Sequence, residues 1–207
     1  MLCRTAGGLE VEGPPQRFII DANWKIVAEG FFGDGYHVPS AHQSFVDIGL
    51  YQRTDSQVRA FFKASIDGHS VLAQDFEARG IAGDPAELMK MIVPVGMPAS
   101  MVDEALAWMP PERAHMLTST PPMIMGLFPS TAILMIGAGP DATVGAVASI
   151  RFFVPLDPGR TEVVSFSVVE SGAPQDFKDA LHGVSTSGFG VAGMFEADDA
   201  EIWSGVQ

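Results

Sequence analysis

The sequence predicts an α+β domain in which an antiparallel sheet is wrapped by helices. Two observations carry that expectation. Four apolar runs with strand character, Met123–Phe128, Thr131–Ile136, Val144–Pro155 and Glu162–Glu170, crowd into the second half of the chain. Three stretches with helical spacing, beginning at Asp84, Ala99 and Pro174, stand around them. A chain of 207 residues is long enough for one domain with a substantial core and short for two, so residues 1–207 are expected to form one unit.

Taken in order, Leu9 to Ala28 reads as extended, through Gln16-Arg17-Phe18-Ile19-Ile20 and then Trp24-Lys25-Ile26-Val27-Ala28. Phe32 to Ser44 reads as helix or turn around Pro39, a residue suited to a first helical turn. Val58–Ile66 and Ser70–Gln74 read as strands flanking Asp67-Gly68, a hairpin-turn pair. Asp84 suits an N-cap, with Pro85 in the first turn and Glu87 three residues on, and Leu88, Met91 and Ile92 follow at helical spacing. A second helix is expected from Ala99 to Met109, with Val102, Leu106 and Met109 on one face and Pro110-Pro111 as its stop. After the four strands, Pro174 to Ser187 reads as a helix with Phe177, Ala180, Leu181 and Val184 on one face. The longest apolar run, Met123 to Ala138, is broken by Gly126, Pro129, Ser130 and Gly137, so it reads as two buried strands rather than a membrane span.

Bulk properties narrow the function. Hydrophobic residues at 47% against 18% charged argue for a folded protein. A net charge of −13 argues against nucleic acid and anionic membrane as partners, since both need clustered Lys and Arg. Cys3 is the single cysteine, which excludes an internal disulfide and any cysteine-ligated cluster held by these residues alone. No apolar segment of signal-peptide length opens the chain, and a cytoplasmic location is expected.

The chemistry points to the stretch Asn23 to His42. It holds two histidines five positions apart, with Asp34 three before the first. Two imidazoles and one carboxylate with open positions make the ligand set of non-haem Fe(II) oxygen chemistry. In a regular helix a gap of five turns the second side chain roughly 140° from the first, so the two rings would diverge. They converge if His37 sits at the entry turn and His42 inside the helix, or if a π-type bulge adds a residue. Asp34 is placed to accept a ring N–H and orient His37. The carboxylate is sought in the acidic stretch Met194–Trp203, which holds Glu196, Asp198, Asp199 and Glu201.

Asn23-Trp24-Lys25, Ala28-Glu29 and the run Phe31-Phe32-Gly33-Asp34-Gly35-Tyr36-His37 with His42 resemble the start of the catalytic domain of Rieske non-haem iron ring-hydroxylating oxygenases, large (alpha) subunit. Gly188 to Trp203 is similar to that family's Phe-Gly-Pro-Ala-Gly, Glu-x-Asp-Asp and Glu-x-Trp signature, and the similarity runs from about residue 15 to about residue 205. The resemblance implies a helix-grip fold of the START and Bet v 1 group, with His37, His42 and Asp199 as ligands of a mononuclear Fe(II). It implies that Asp34 links the iron to a Rieske cluster in a neighbouring subunit, and that Phe31, Val38, Phe189 and Phe195 lie near the substrate. It further implies a dioxygenase or monooxygenase acting with O2 on an aromatic or similarly apolar substrate. Electrons would come from a Rieske or ferredoxin-type donor, and the assembly would be a trimer-type homo-oligomer. Matching to the family favours Asp199 over Asp198, which reads as a solvated acid.

Three departures stand beside the resemblance. With Cys3 alone, a [2Fe–2S] cluster must be supplied by another chain. Gly30 stands where many members carry asparagine, and Val191 replaces a proline. Family chains continue beyond the aspartate whereas this one stops at Gln207, which implies a C-terminus cut short. The alternative reading is a non-catalytic helix-grip domain for a hydrophobic ligand, or an inactive gene fragment.

Other residues carry bland readings. Glu29 and Glu196 read equally as partners of the ligands or as structural acids, and Trp203 as packing. His69, His115 and His182 have no partner motif, and Met89, Met91, Met97, Met101 and Met109 read as adaptable core. Gly137-Ala138-Gly139 lacks the context of a dinucleotide fingerprint.

Overall fold

Seven strands form one sheet in the order β1-β7-β6-β5-β4-β3-β2. They are β1 (Leu9–Ile20), β2 (Ala60–Ala64), β3 (Ser70–Gln74), β4 (Pro122–Leu127), β5 (Thr131–Gly137), β6 (Ala146–Asp157) and β7 (Arg160–Glu170). Every neighbouring pair is antiparallel. The computed structural model describes residues 2–35, 37–43, 47, 60–65, 67–137 and 146–207. Tyr36, Ser44, Val58, Ile66, Ala138, Gly139 and Val144, named in the expected elements and motifs, lie outside them.

The helices are α1 (Trp24–Phe32), α2 (Val38–Ala41), α3 (Pro85–Met91), α4 (Val102–Trp108), α5 (Pro111–Ser119), α6 (Gln175–Phe189) and α7 (Met194–Val206). Two short 3₁₀ turns, Glu77–Arg79 and Ala99–Met101, complete the described elements. Asp84 caps α3 as expected, its side chain accepting from the amides of Ala86 and Glu87. Gly68 turns between β2 and β3 with a φ of 80°, a conformation that favours glycine. The helix expected from Ala99 begins as a 3₁₀ turn and continues as α4.

Two expectations are corrected. Trp24–Ala28 is not extended but the start of α1: the Asn23 side chain accepts from Lys25 N–H. Val27, Ala28, Phe31 and Phe32 then bury one helical face. Apolar β-formers had masked a capping residue and a period of four. Pro110-Pro111 ends α4, yet Pro111 also opens α5, because a proline at the first helical position lacks only an amide with no intrahelical partner.

Side-chain alternation along β6 places Ser149, Arg151 and Phe153 on one face, where all are buried. Phe153 meets Phe31 edge-on at 5.6 Å between ring centres, so this face looks toward α1. One core gathers Phe31, Phe32, Leu134, Val147, Phe153, Val163, Phe189 and Trp203 between the sheet and α1, α6 and α7. A second collects Met89, Met97, Met101, Met109, Leu117, Met135 and Leu181 at the end capped by α3, α4 and α5. Full burial of each such side chain contributes about 1.5–3 kcal/mol. Met91, expected in the core with the other methionines, is 72% exposed.

Candidate metal centre

The site forms where the segment around α2 meets α7. His37 stands at the entry to α2, its carbonyl accepting from the amides of Ser40 and Ala41. His42 follows immediately after the four-residue helix rather than lying inside it. So short a helix brings the rings together, with centres 5.7 Å apart and planes at 75°.

Each imidazole is held from behind. His37 Nδ1 lies 2.7 Å from the main-chain oxygen of Asp34. A carbonyl can only accept, so Nδ1 carries the proton and the Nε2 lone pair faces away. The Asp34 carboxylate is more distant, with Oδ2 at 3.7 Å from His37 Nδ1. His42 Nδ1 lies 3.3 Å from Asp198 Oδ2, so Asp198 plays the corresponding part on the second ring.

Asp199 lies between the two faces presented by the rings. Its Oδ1 is 3.6 Å from His37 Nε2 and 3.4 Å from His42 Nε2. One ligand atom from each of the three residues lies within 4.8 Å of the others. Asp199 is 3% exposed, and its Oδ1 has no hydrogen-bond partner among the described residues. A buried carboxylate oxygen without a donor is costly, and a cation among these three groups would satisfy it. Burial pushes the Asp199 carboxyl up to about 8; Glu196 and Asp198 push the same way and Arg151 opposes them. Burial lowers His42 below its ordinary value despite the hydrogen bond to Asp198. A neutral imidazole is the form that donates a lone pair to a metal. Two such nitrogens and one carboxylate suit a non-haem Fe(II).

Phe195 abuts the site, edge-on to the His42 ring at 5.1 Å. It stacks on Phe189 at 5.0 Å with planes 9° apart, and Phe189 meets Phe31 at 6.2 Å. Three of the four residues assigned to a substrate pocket thus form one continuous aromatic packing that starts at His42. The side chain of Val38 lies outside the described residues.

Sequence reasoning passed over two contributors. Asp198, read as a solvated acid, holds His42. Arg151 is wholly buried in β6, donates from Nη2 to Glu196 Oε2 at 2.5 Å, and stands 4.6 Å over the Phe31 ring. Burial pushes the Glu196 carboxyl up against the pull of Arg151. Trp203, which the sequence reads as packing, is buried and seated on Gly30, where an added Cβ would fall 2.1 Å from the indole Nε1. An arginine inside the apolar run of β6 was the one local signal; its partner lies 45 positions away.

A family model described as ring hydroxylating alpha subunit (catalytic domain) matches residues 7–207. The benzene 1,2-dioxygenase alpha subunit of Pseudomonas putida is 30% identical over 100% of this chain and 44% of its own length. The N,N-dimethyl phenylurea N-demethylase alpha subunit of Sphingobium sp. (strain YBL2) is 29% identical over 96% of this chain and 43% of its own. Among solved structures, naphthalene 1,2-dioxygenase from Rhodococcus sp. bound to indole superposes with a TM-score of 0.74 at 30% identity, covering 98% of this chain and 45% of that one. The chain therefore spans less than half the length of the relatives it matches. The antiparallel sheet with its helices is the fold of the Rieske oxygenase catalytic domain, and the chain belongs to the ring-hydroxylating oxygenase alpha-subunit family.

Proposed function

We propose that His37, His42 and Asp199 hold a mononuclear Fe(II), and that the chain oxidises an aromatic or similarly apolar substrate with O2. The observation that carries this reading is Asp199 Oδ1, buried without a donor and facing both Nε2 atoms at 3.6 and 3.4 Å. Iron held by three protein groups keeps open coordination positions and supplies the O2 chemistry. The protein residues do the rest. The Asp34 carbonyl and the Asp198 carboxylate fix the proton on each Nδ1 and so aim both Nε2 lone pairs at one point. Phe195 and Phe189 keep water from the His42 side and offer flat apolar surface to a flat apolar substrate.

Electrons are supplied from outside these residues, by a Rieske or ferredoxin-type donor carrying its own [2Fe–2S]. The Asp34 side chain, 40% exposed beside His37, is the contact through which they arrive. A homo-oligomer of trimer type and a cytoplasmic setting complete the proposal. No helix among the described residues is long and apolar enough to cross a membrane. Relatives named as dioxygenase and N-demethylase fit equally, so the reaction is left as oxidation of an apolar substrate.

The test is anaerobic Fe(II) stoichiometry on the purified chain, followed by nitric oxide and EPR. About one iron per chain with a high-spin iron–nitrosyl signal is expected, lost in His37→Ala. Asp34→Ala should retain iron and lose reduction by the donor. A folded chain that takes up no iron favours a non-catalytic domain for hydrophobic ligands.

A further inference from the structure

Three residues of α7 are buried, Glu196, Asp199 and Trp203. Spaced by three and four, they line one helical face. Asp199 is thus flanked on its own helix by two side chains that reach other elements. Trp203 seats on Gly30 of α1, and Glu196 pairs with Arg151 of β6.

The first turn of α7 is joined to the sheet by one buried charge pair, Glu196 with Arg151. Its N-cap is Gly193, and no side chain caps the exposed amides. Phe195 leans on Phe189 and His42, contacts that tolerate sliding. The Arg151–Glu196 pair is directional, and it is a poor choice if stability alone were at stake. Arg151 Nε and Nη1 and Glu196 Oε1 have no partner among the described residues. An apolar pair of the same volume would be as stable or more so. Arg151 is itself fixed between the Phe31 ring, 4.6 Å away, and the Phe189 ring, 5.6 Å away.

We propose that Arg151 and Glu196 are positioning residues that tie the first turn of α7 to the sheet and so set Asp199 against His37 and His42. The inference rests on those three residues being the metal ligands. With the tie gone, α7 keeps its seat at Trp203, the Asp198–His42 hydrogen bond and the Phe195 contacts but loses its buried link to β6, and Asp199 Oδ1 can shift relative to the two Nε2 atoms. The pair makes no hydrogen bond to any of the three ligand residues; beyond the opposed charges it sets near Asp199, its effect on position passes through the helix backbone.

The test uses Co(II) as the probe, titrated anaerobically into the full chain. Glu196→Ala should bind Co(II) about 10- to 100-fold more weakly than the parent, with altered visible absorption. Glu196→Gln, which keeps a carbonyl acceptor for Arg151 Nη2, should recover most of that loss. The double variant Arg151→Met with Glu196→Leu leaves no buried charge unpaired; it should unfold where the parent does and still bind weakly. Parent-like affinity and spectrum in the double variant, or no recovery in Glu196→Gln over Glu196→Ala, would overturn the proposal, and either comparison suffices if one variant fails to fold. A second readout needs no metal: the His42 ring carbon–proton NMR signal should move in metal-free Glu196→Ala and return toward the parent position in Glu196→Gln. A stationary signal overturns the proposal. A parent chain that binds no Co(II) defeats the iron reading instead, and the ring signal then decides the positioning by itself.

Discussion

Two buried arginine–glutamate pairs stand among the described residues, and they are built differently. Arg4 uses every nitrogen of its guanidinium, donating from Nε to Glu170 Oε1, from Nη1 to the Val95 carbonyl and from Nη2 to the Gly96 carbonyl. Thr5 satisfies the other oxygen of Glu170. This network ties the N-terminal segment to the end of β7 and to the loop before α4. Arg151 makes a single hydrogen bond, to Glu196, and otherwise rests on aromatic rings. The complete network lies away from the metal centre; the incomplete one stands one helical turn from Asp199. A pair that only braces the fold can satisfy all its groups. A pair beside a site is constrained by where the helix carrying the ligand must lie.

The largest effect should come from breaking the complete pair. Arg4→Met leaves the Glu170 carboxylate buried, with the Thr5 hydroxyl as its sole remaining donor. Loss of one partner of such a pair costs about 3–5 kcal/mol. Urea denaturation should report that loss, while Co(II) affinity of the folded protein stays within about twofold of the parent. A drop in metal affinity matching that of Glu196→Ala would erase the distinction between the pairs.

A smaller effect is expected where α1 and α7 touch. Gly30 leaves room for the Trp203 indole, and a methyl there would overlap Nε1 at 2.1 Å. Both elements are buried on that side, so Gly30→Ala forces the ring or the helix to shift, at about 1–3 kcal/mol. Denaturation should show the full penalty of Gly30→Ala against the parent and most of it gone when Gly30→Ala is added to Trp203→Leu and compared with Trp203→Leu alone.

The legibility of the chain follows the range of its interactions. Strands β3 to β7 could be read to within two residues at their described ends, because their signals are local apolar runs and turn residues. The Asp84 cap was equally local. α1 was misread because Trp24, Ile26 and Val27 favour strands, and only the Asn23 cap with Phe31 and Phe32 a turn later favoured the helix. α5 was hidden behind a proline pair that stops one helix and starts the next. At the site, the motifs pointed to His37, His42 and Asp199, which the fold brings within 4.8 Å. Asp198 was passed over because adjacent helix positions point about 100° apart, and nothing in the chain order shows which acid faces which ring. Arg151 and Glu196 meet across 45 positions, a pairing that exists only once β6 and α7 have packed.

The smallest expected effect separates the two regions by pH. In the metal-free chain the Asp199 carboxyl is pushed from an ordinary 3.8 to about 8. Between those values the folded state holds a proton that the unfolded state has released. Stability contributed by that proton is complete below the unfolded value and is lost as pH rises toward the folded one, by at most about 1.4 kcal/mol per pH unit. His42 has the opposite sign, since burial lowers it from 6.5 and its contribution grows as pH rises to that value. From pH 7 to 8 His42 is largely neutral in both states, and its small remaining contribution has the opposite sign, so a fall in stability there reports Asp199. Urea midpoints of the metal-free parent should fall across that interval, and the fall should be smaller in Asp199→Asn, where the ionisable group is gone. Metal binds the carboxylate in its anionic form, so uptake releases the proton and Co(II) affinity should rise up to about tenfold per pH unit until near pH 8. Arg4→Met lies away from the metal centre and should leave the slope as it is in the parent. A slope that survives intact in Asp199→Asn would assign the proton to another group and leave the metal centre without its pH signature.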